Sequence, residues 1–429
     1  MPDRRRILPL ILAVLALIVP VANRALAQGV VRDSVGAISS GRGGTNIAHF
    51  DNLSVILDNP AGLMNIPEFE RLDFGFDILF TDLDYTDPQN NSNGEVMPMP
   101  LPQFAYTKKF FDQRLALGIG VFAPAGFGAE YNLRHPLFGK REYTSLGALI
   151  KILPAVALRV DEHLSIGATF GLAVSHVQLE MPFNLQTGPF AGVGMMMDLK
   201  ATGVAPTYSL GLQYRFNEQT TVGLAFRGET RFRLKGDAAI DISGFGFPLL
   251  KASYDVQVAL VWPRSLGAGV SHKINDRHRV AADVVWFDWS HAFDKLDLRL
   301  SDGSNRLFDL VLGKTVRDTL PLRWHDSIAF RFGYEFFATP NDIFRIGYIF
   351  HDNPIPNSTL FPNLAGILEH AISLGYGHTW EKWGLDAAYQ YSWSGTNRVG
   401  VSRLVGSDYN HSTVKAQAHW LFLGLSYRF

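Results

Sequence analysis

Seven charged residues stand at even spacings along three stretches: Arg227, Glu229, Arg231 and Arg233; Arg331 and Glu335; and Arg345. In an extended chain successive side chains alternate faces, so each set shares one face. Such a face can clasp an anionic head group or pair with acids of another segment. The mixture of signs favours pairing. Asp82, Asp84 and Asp87 could offer carboxylates to calcium at a loop edge. Acids so placed are more often solvated, so no metal is expected. The 13 histidines are scattered without ligand spacing. No Gly-x-Ser-x-Gly elbow, His-Glu-x-x-His or Walker motif is present, so no catalytic residue and no cofactor are expected.

The bulk composition narrows the field further. The chain has 429 residues, 39 basic and 40 acidic, with a net charge of -1. That balance gives nucleic acid no basic surface to bind. There are no cysteines, which removes disulfides and thiolate chemistry. Residues 1–27 read as a secretory signal peptide: Arg4, Arg5 and Arg6, then an apolar run from Ile7 to Val21, then Ala25-Leu26-Ala27. Beyond it no unbroken apolar stretch reaches the ~18 residues of a membrane helix.

From about Glu68 the dominant period is two. Leu164, Ile166, Ala168, Phe170, Leu172 and Val174 alternate with small residues, and Leu421, Leu423, Leu425, Tyr427 and Phe429 alternate with Trp420, Phe422, Gly424, Ser426 and Arg428. About fourteen such segments fill residues 68–429, joined alternately by short turns and long loops, the layout of an outer-membrane barrel. Some segments reach twenty-odd residues, against the ~5–6 usual for soluble strands. Tyr208, Tyr214, Phe216, Trp262, Trp286, Trp289, Tyr389, Tyr391 and Trp393 are expected to form interfacial girdles. The fold expected is all-β: a transmembrane antiparallel β-barrel in the outer membrane of a Gram-negative bacterium. A closed barrel satisfies every backbone donor and acceptor without water.

Residues 28–67 are too rich in Gly, Ser and Asn for a wall strand. They are expected to fold inside the lumen as a plug, because the inward faces carry glycines such as Gly118, Gly167, Gly211, Gly333 and Gly347. The stretch LDNPAGL at 57–63 ends this segment. Asn59, Pro60, Ala61 and Gly62 are the candidate gating residues, since proline pins φ and glycine permits close approach. Pro124, Gly126 and Gly128 imply a bulge or break in the third strand. Two long connections are apolar: 181–200, with Met181, Phe183, Phe190, Met195 and Met197, and 241–250, with Phe245, Phe247 and Leu249. They are candidate capture surfaces, or else they pack over the barrel mouth.

Gly-Arg-Gly-Gly-Thr at 41–45, with Asp58-Asn59-Pro60-Ala61-Gly62-Leu63, resembles the N-terminal hatch signature of the FadL-type outer-membrane transporters. LGIGVFAPAGFGAEY at 117–131, FRGETRFRLKGD at 226–237 and WPRSLGAGVSHKI at 262–274 resemble family segments in family order. The resemblance implies a fourteen-stranded barrel with an internal hatch and a passive route for long-chain fatty acids or hydrocarbons. It implies an external apolar groove at the two loops and a side gap at the kink of strand three. It also implies a basic lumen residue facing a carboxylate, placed near Arg323-Trp324-His325 with His325 the closest match. By parity, apart from the resemblance, Arg227, Glu229, Arg231, Arg233, Arg331, Glu335 and Arg345 are expected to face the lumen, with Arg227 and Arg331 as further binding candidates. The partners expected are a hydrophobic ligand, outer-membrane lipid including lipopolysaccharide, and the barrel assembly machinery, with the protein a monomer. A general diffusion porin and an outer-membrane lipid hydrolase are the alternatives.

Overall fold

The computed structural model describes residues 30–96, 98–188, 190–242, 251–406 and 408–429. Residues 1–27, expected to be a signal peptide, and the expected capture residues Phe245, Phe247 and Leu249 lie outside the described residues. Fourteen antiparallel staves form one wall. The first six are β1 (Glu70–Thr86), β2 (Pro98–Phe110), β3 (Leu115–His135), β4 (Gly139–Arg159), β5 (Leu164–Asn184) and β6 (Gly194–Arg215). The next four are interrupted: β7 (Thr220–Arg227 and Thr230–Asp241), β8 (Lys251–Trp262 and Ser265–Asn275), β9 (His278–Phe287 and Lys295–Ser301) and β10 (Thr315–Pro321 and Ser327–Phe337). The last are β11 (Asp342–His351), β12 (His370–Trp380), β13 (Trp383–Trp393) and β14 (Thr413–Arg428). The barrel closes where β1 pairs with β14, from Arg71↔Arg428 to Thr86↔Thr413.

The alternation dictates what each face meets. Leu210, Leu224, Leu266, Leu374 and Leu423 point outward and are about half exposed, forming an apolar belt. No described helix is long and apolar enough to cross a membrane, so the strands carry the crossing. The inward positions at the same height are small: Gly167 and Thr169 on β5, Gly211 and Ser209 on β6, Gly223 on β7.

The interruptions in β7 to β10 invert this pattern. Below the break at Gly228-Glu229, Leu224 and Phe226 face out and Arg227 faces in. Above it, Phe232, Leu234 and Ile240 are buried inward, while Arg231, Arg233 and Lys235 are exposed. The same inversion occurs across Pro263-Arg264, across residues 288–294 and across residues 322–326. Each break changes the phase of the pleat, and one step of phase sends every later side chain to the other face. The expectation that Arg231 and Arg233 face the lumen is therefore corrected, because it carried one parity through the break. Trp262 and Trp289 are likewise buried, at 3% and 0% exposure, and do not belong to the girdles.

Candidate functional site

Residues 30–66 pack against the inward faces of the staves. The short helices α1 (Ala37–Gly41) and α2 (Val55–Asp58) and a 3-10 turn (Pro60–Met64) hold them together. Proline suits the first position of that turn, where its missing N–H is no loss. Asn59 accepts from the Ala61 amide at 3.3 Å and donates to the carbonyls of Ile47 (2.7 Å) and Leu212 on β6 (3.0 Å). Gln213 donates to Ile47 and His49, and Asn65 donates to Ser165 and Gln213. Inward glycines make this approach possible. A Cβ at Gly347 would lie 1.9 Å from the Gly43 nitrogen, and one at Gly223 would lie 2.2 Å from the Ile47 oxygen. Gly347→Ala is therefore expected to loosen residues 41–45 without opening the barrel. Limited proteolysis should then cut near Gly43, while the barrel keeps its heat-dependent gel mobility.

An ion network anchors the segment. Arg42, fully buried, contacts Asp51 at 2.7 and 2.9 Å, Glu335 of β10 at 3.3 Å and the Thr45 carbonyl at 2.8 Å. Arg279 of β9 bridges Asp51 and Glu335, and Arg345 of β11 bridges Glu335 and Asp386. His49, Asp51 and Glu335 approach one another closely enough for a metal site. Guanidinium groups already occupy both carboxylates, so the chemistry of the cluster is ion pairing. The His49 ring nitrogens have no hydrogen-bond partner among the described residues, and burial, then Arg42 and Arg279, hold the imidazole well below the usual range, which favours the neutral ring.

The wall is incomplete between β2 and β3. Their pairing runs from Phe110↔Leu115 only to Phe104↔Val121, whereas β2 stays paired with β1 as far as Phe80↔Pro98. At the same height β3 bulges away from β4 between Phe122 and Ala125. The bulge frees the carbonyls of Ala123 and Pro124, and Arg32 takes both, through its guanidinium and its backbone amide, at 3.0 Å each. Arg32 also pairs with Asp77 of β1, so it spans the seam. The Gly126 amide donates to Val30 at 3.0 Å, and Gly128 faces the Met99 side chain across the opening. On the other edge, Pro98, Pro100 and Pro102 alternate. Proline cannot donate to a ladder. These three fit against β1 only where the missing N–H groups would have pointed the other way, toward β3. The seam thus has an edge with no orphaned donors at those positions, as lipid requires. These prolines were not singled out from sequence, although their spacing of two was visible there.

Above the N-terminal segment the interior becomes apolar. Met181, Phe183, Met195 and Met197 are buried and pack with Phe232, Leu234, Val258, Leu260 and Trp262; Phe190 is partly buried against them. The span 181–200 is mostly strand, the upper ends of β5 and β6, so these residues line an interior and do not form an outer groove. Trp289, Phe293 and Trp324 pack edge-on and tilted against one another, with centroids 4.6–5.0 Å apart. The β11–β12 connection folds over this cluster, burying Ile355, Leu360 and Phe361, with Thr359 bonded to the Leu322 carbonyl. The long loops are tied to one another through Asp408, which meets His135 and Asn184.

The basic candidates divide. Arg227 faces inward but is held by Asp58 (2.6 Å) and the Leu57 carbonyl (3.1 Å), and Arg331 bonds the Gly44 carbonyl (3.3 Å). Arg323 and His325 are exposed, and Leu322 and Trp324 are buried in their place. The lumen placement of Arg323 and His325 is corrected: the break in β10 turns the apolar partners inward. Sequence reasoning missed Lys151. It stands on the inward face of β4, opposite Phe122 at the bulge, half-buried and without an ion pair or hydrogen bond among the described residues.

Comparison with known proteins agrees with this architecture. A curated outer membrane protein of Neisseria meningitidis serogroup B is 23% identical over 427 residues, covering 88% of this chain and 89% of the relative. The crystal structure of a Pseudomonas aeruginosa FadL homologue superposes with a TM-score of 0.77 at 17% identity, covering 94% of this chain and all of the other. That of the toluene transporter TodX from P. putida gives 0.77 at 20%, covering 92% of this chain and 99% of the other. That of the toluene transporter TbuX from Ralstonia pickettii gives 0.73 at 20%, with the same coverage. The family model described as outer membrane protein transport protein (OMPP1/FadL/TodX) matches residues 18–429, so the chain belongs to this family of outer-membrane transport proteins.

Proposed function

We propose that the chain is a passive channel that takes hydrophobic compounds through the upper apolar interior and releases them sideways, through the β2–β3 seam, into the outer membrane. The observation that carries this reading is the seam itself. A wall strand that abandons its neighbour within the membrane is costly unless the free edge is prepared for it. Here one edge is proline-rich, and the other has its freed carbonyls held by Arg32 of the N-terminal segment. Residues 30–66 are then a hatch whose displacement releases the kink. A space of about 50 Å³ beside Gly36, Gln103 and Phe122 is too small for any such cargo, which fits a closed state.

Two cargo classes suit the interior. Neutral aromatic hydrocarbons, the cargo named for two of the similar structures, need only the apolar wall. Long-chain fatty acids need a partner for the carboxylate, and Lys151 is an inward cation opposite the bulge with no ion pair or hydrogen bond among the described residues. A charge-assisted hydrogen bond contributes about 1.5–3 kcal/mol. Lys151→Met is therefore expected to weaken fatty-acid binding at least about tenfold and to leave alkylbenzene binding unchanged. The measurement is equilibrium binding of fatty acids, alkylbenzenes and alkanes to detergent-purified wild type and variant. Absence of binding by the wild type to every member of the panel would refute the channel reading.

A further inference from the structure

The inverted upper wall leaves a basic patch on the outside of the barrel. Lys235 of β7 faces Gln257 of β8, Gln257 faces Arg299 of β9, and Arg299 faces Arg317 of β10, all exposed. Arg233 lies one outward step below Lys235. Arg233, Arg299 and Arg317 line a groove of about 290 Å³ together with Gln257, Ala259 and Thr319. None of the three arginines has an ion pair or hydrogen bond among the described residues. Asp297, also at the groove, accepts from Thr319 Oγ1 at 2.8 Å and lies 3.6 Å from Lys295. Asp318 turns inward and is held by Gln186 and Thr187.

Two features point to a missing anion. Like charges directly opposite on neighbouring strands repel, yet Arg299 and Arg317 stand opposite each other with no acid between them. Their guanidinium forks suit phosphate oxygens. The patch also continues the apolar belt. Lys235 pairs with Thr202 of β6, one outward step above Val204, which is 61% exposed. A ligand at this height has its acyl chains against the belt and its head group at the arginines. Asp237 and Asp255, opposite each other in the next row up, bound the patch with negative charge.

We propose that Arg233, Arg299 and Arg317 form a binding site for the phosphate groups of a phosphorylated glycolipid of the outer leaflet, lipopolysaccharide. The site is on the outer wall, away from the seam. The test uses the full chain purified in detergent and measures binding of three probes: lipopolysaccharide, the same lipid after removal of its phosphates, and inorganic phosphate. Lipopolysaccharide is expected to bind at least about tenfold more tightly than either of the others. The triple variant R233Q/R299Q/R317Q should lose that margin, and R233K/R299K/R317K should keep most of it. Heat-dependent gel mobility monitors the barrel. Equal binding of the phosphate-free lipid, equal binding of free phosphate, or wild-type affinity in the glutamine variant would each overturn the proposal. Should the glutamine variant fail to fold, the probe comparison on the wild type still decides.

Discussion

Cells carrying the triple substitution Pro98→Thr, Pro100→Thr and Pro102→Thr are expected to lose hydrophobic uptake by at least about tenfold, the factor that ~1.4 kcal/mol of added barrier produces. The three positions are exposed on the outer face of β2, so the change removes little packing. Threonine has high strand propensity and supplies the N–H group that proline lacks. Three new donors would then point toward β3, each with about 1 kcal/mol to gain from pairing. Leaving them bare in lipid costs more than pairing them, so β2 should draw β3 toward itself and close the seam. The barrel should assemble normally, because the β1–β2 ladder is untouched. Uptake of labelled fatty acid or alkylbenzene by whole cells gives the result. Wild-type uptake in a correctly assembled variant would mean that cargo leaves by another path.

Arg42→Ala is expected to release the N-terminal segment. Arg42 satisfies Asp51, Glu335, Asn46 and the Thr45 carbonyl from a fully buried position. Removing one partner of a buried ionic network costs about 3–5 kcal/mol, because the remaining charges stay buried and uncompensated. The contacts of Asn59 and Asn65 persist, and Asp283 of β9 still accepts from the Asn46 and Ile47 amides, so the segment should open intermittently and the barrel should survive. Planar-bilayer recordings should show discrete conductance steps that the wild type lacks, and residues near Asp51 should become protease-sensitive. A closed, protease-resistant variant would remove the anchoring role. Acid should act in the same direction. His49 is held neutral in the docked segment and regains its ordinary affinity for protons, near pH ~6.5, once released. The released state therefore binds the extra proton, and docking weakens as pH falls below about 6.5. Proteolytic cleavage near Asp51 in the wild type should therefore quicken between pH 7 and pH 5.5.

Much of this is legible in the sequence alone. Leu421, Leu423 and Leu425 announce a wall strand with one greasy face, and the fourteen segments fall where the staves lie. The Asn-Pro-Ala-Gly turn marks the end of the N-terminal segment, and Pro124 with Gly126 marks the bulge. Arg231 and Arg233 sit beyond an interruption in their stave, and parity does not carry across it. Trp262 and Trp289 border or lie within such interruptions and turn inward, and His325 lies within one. A break such as Gly228-Glu229 can preserve or reverse the phase, and the local residues do not say which. The methionines and phenylalanines of 181–200 were read as a loop surface because their hairpin turn is weakly marked.

The linear sequence by itself determined the period, the number of staves and the existence of an irregular leading segment, because each depends on neighbours within a few residues. Only the tertiary structure decided which face each upper side chain meets, which charges the N-terminal segment neutralises, and that β2 and β3 part company. Those outcomes depend on hydrogen-bond ladders between segments distant in the chain, and one residue of register there exchanges lumen for lipid.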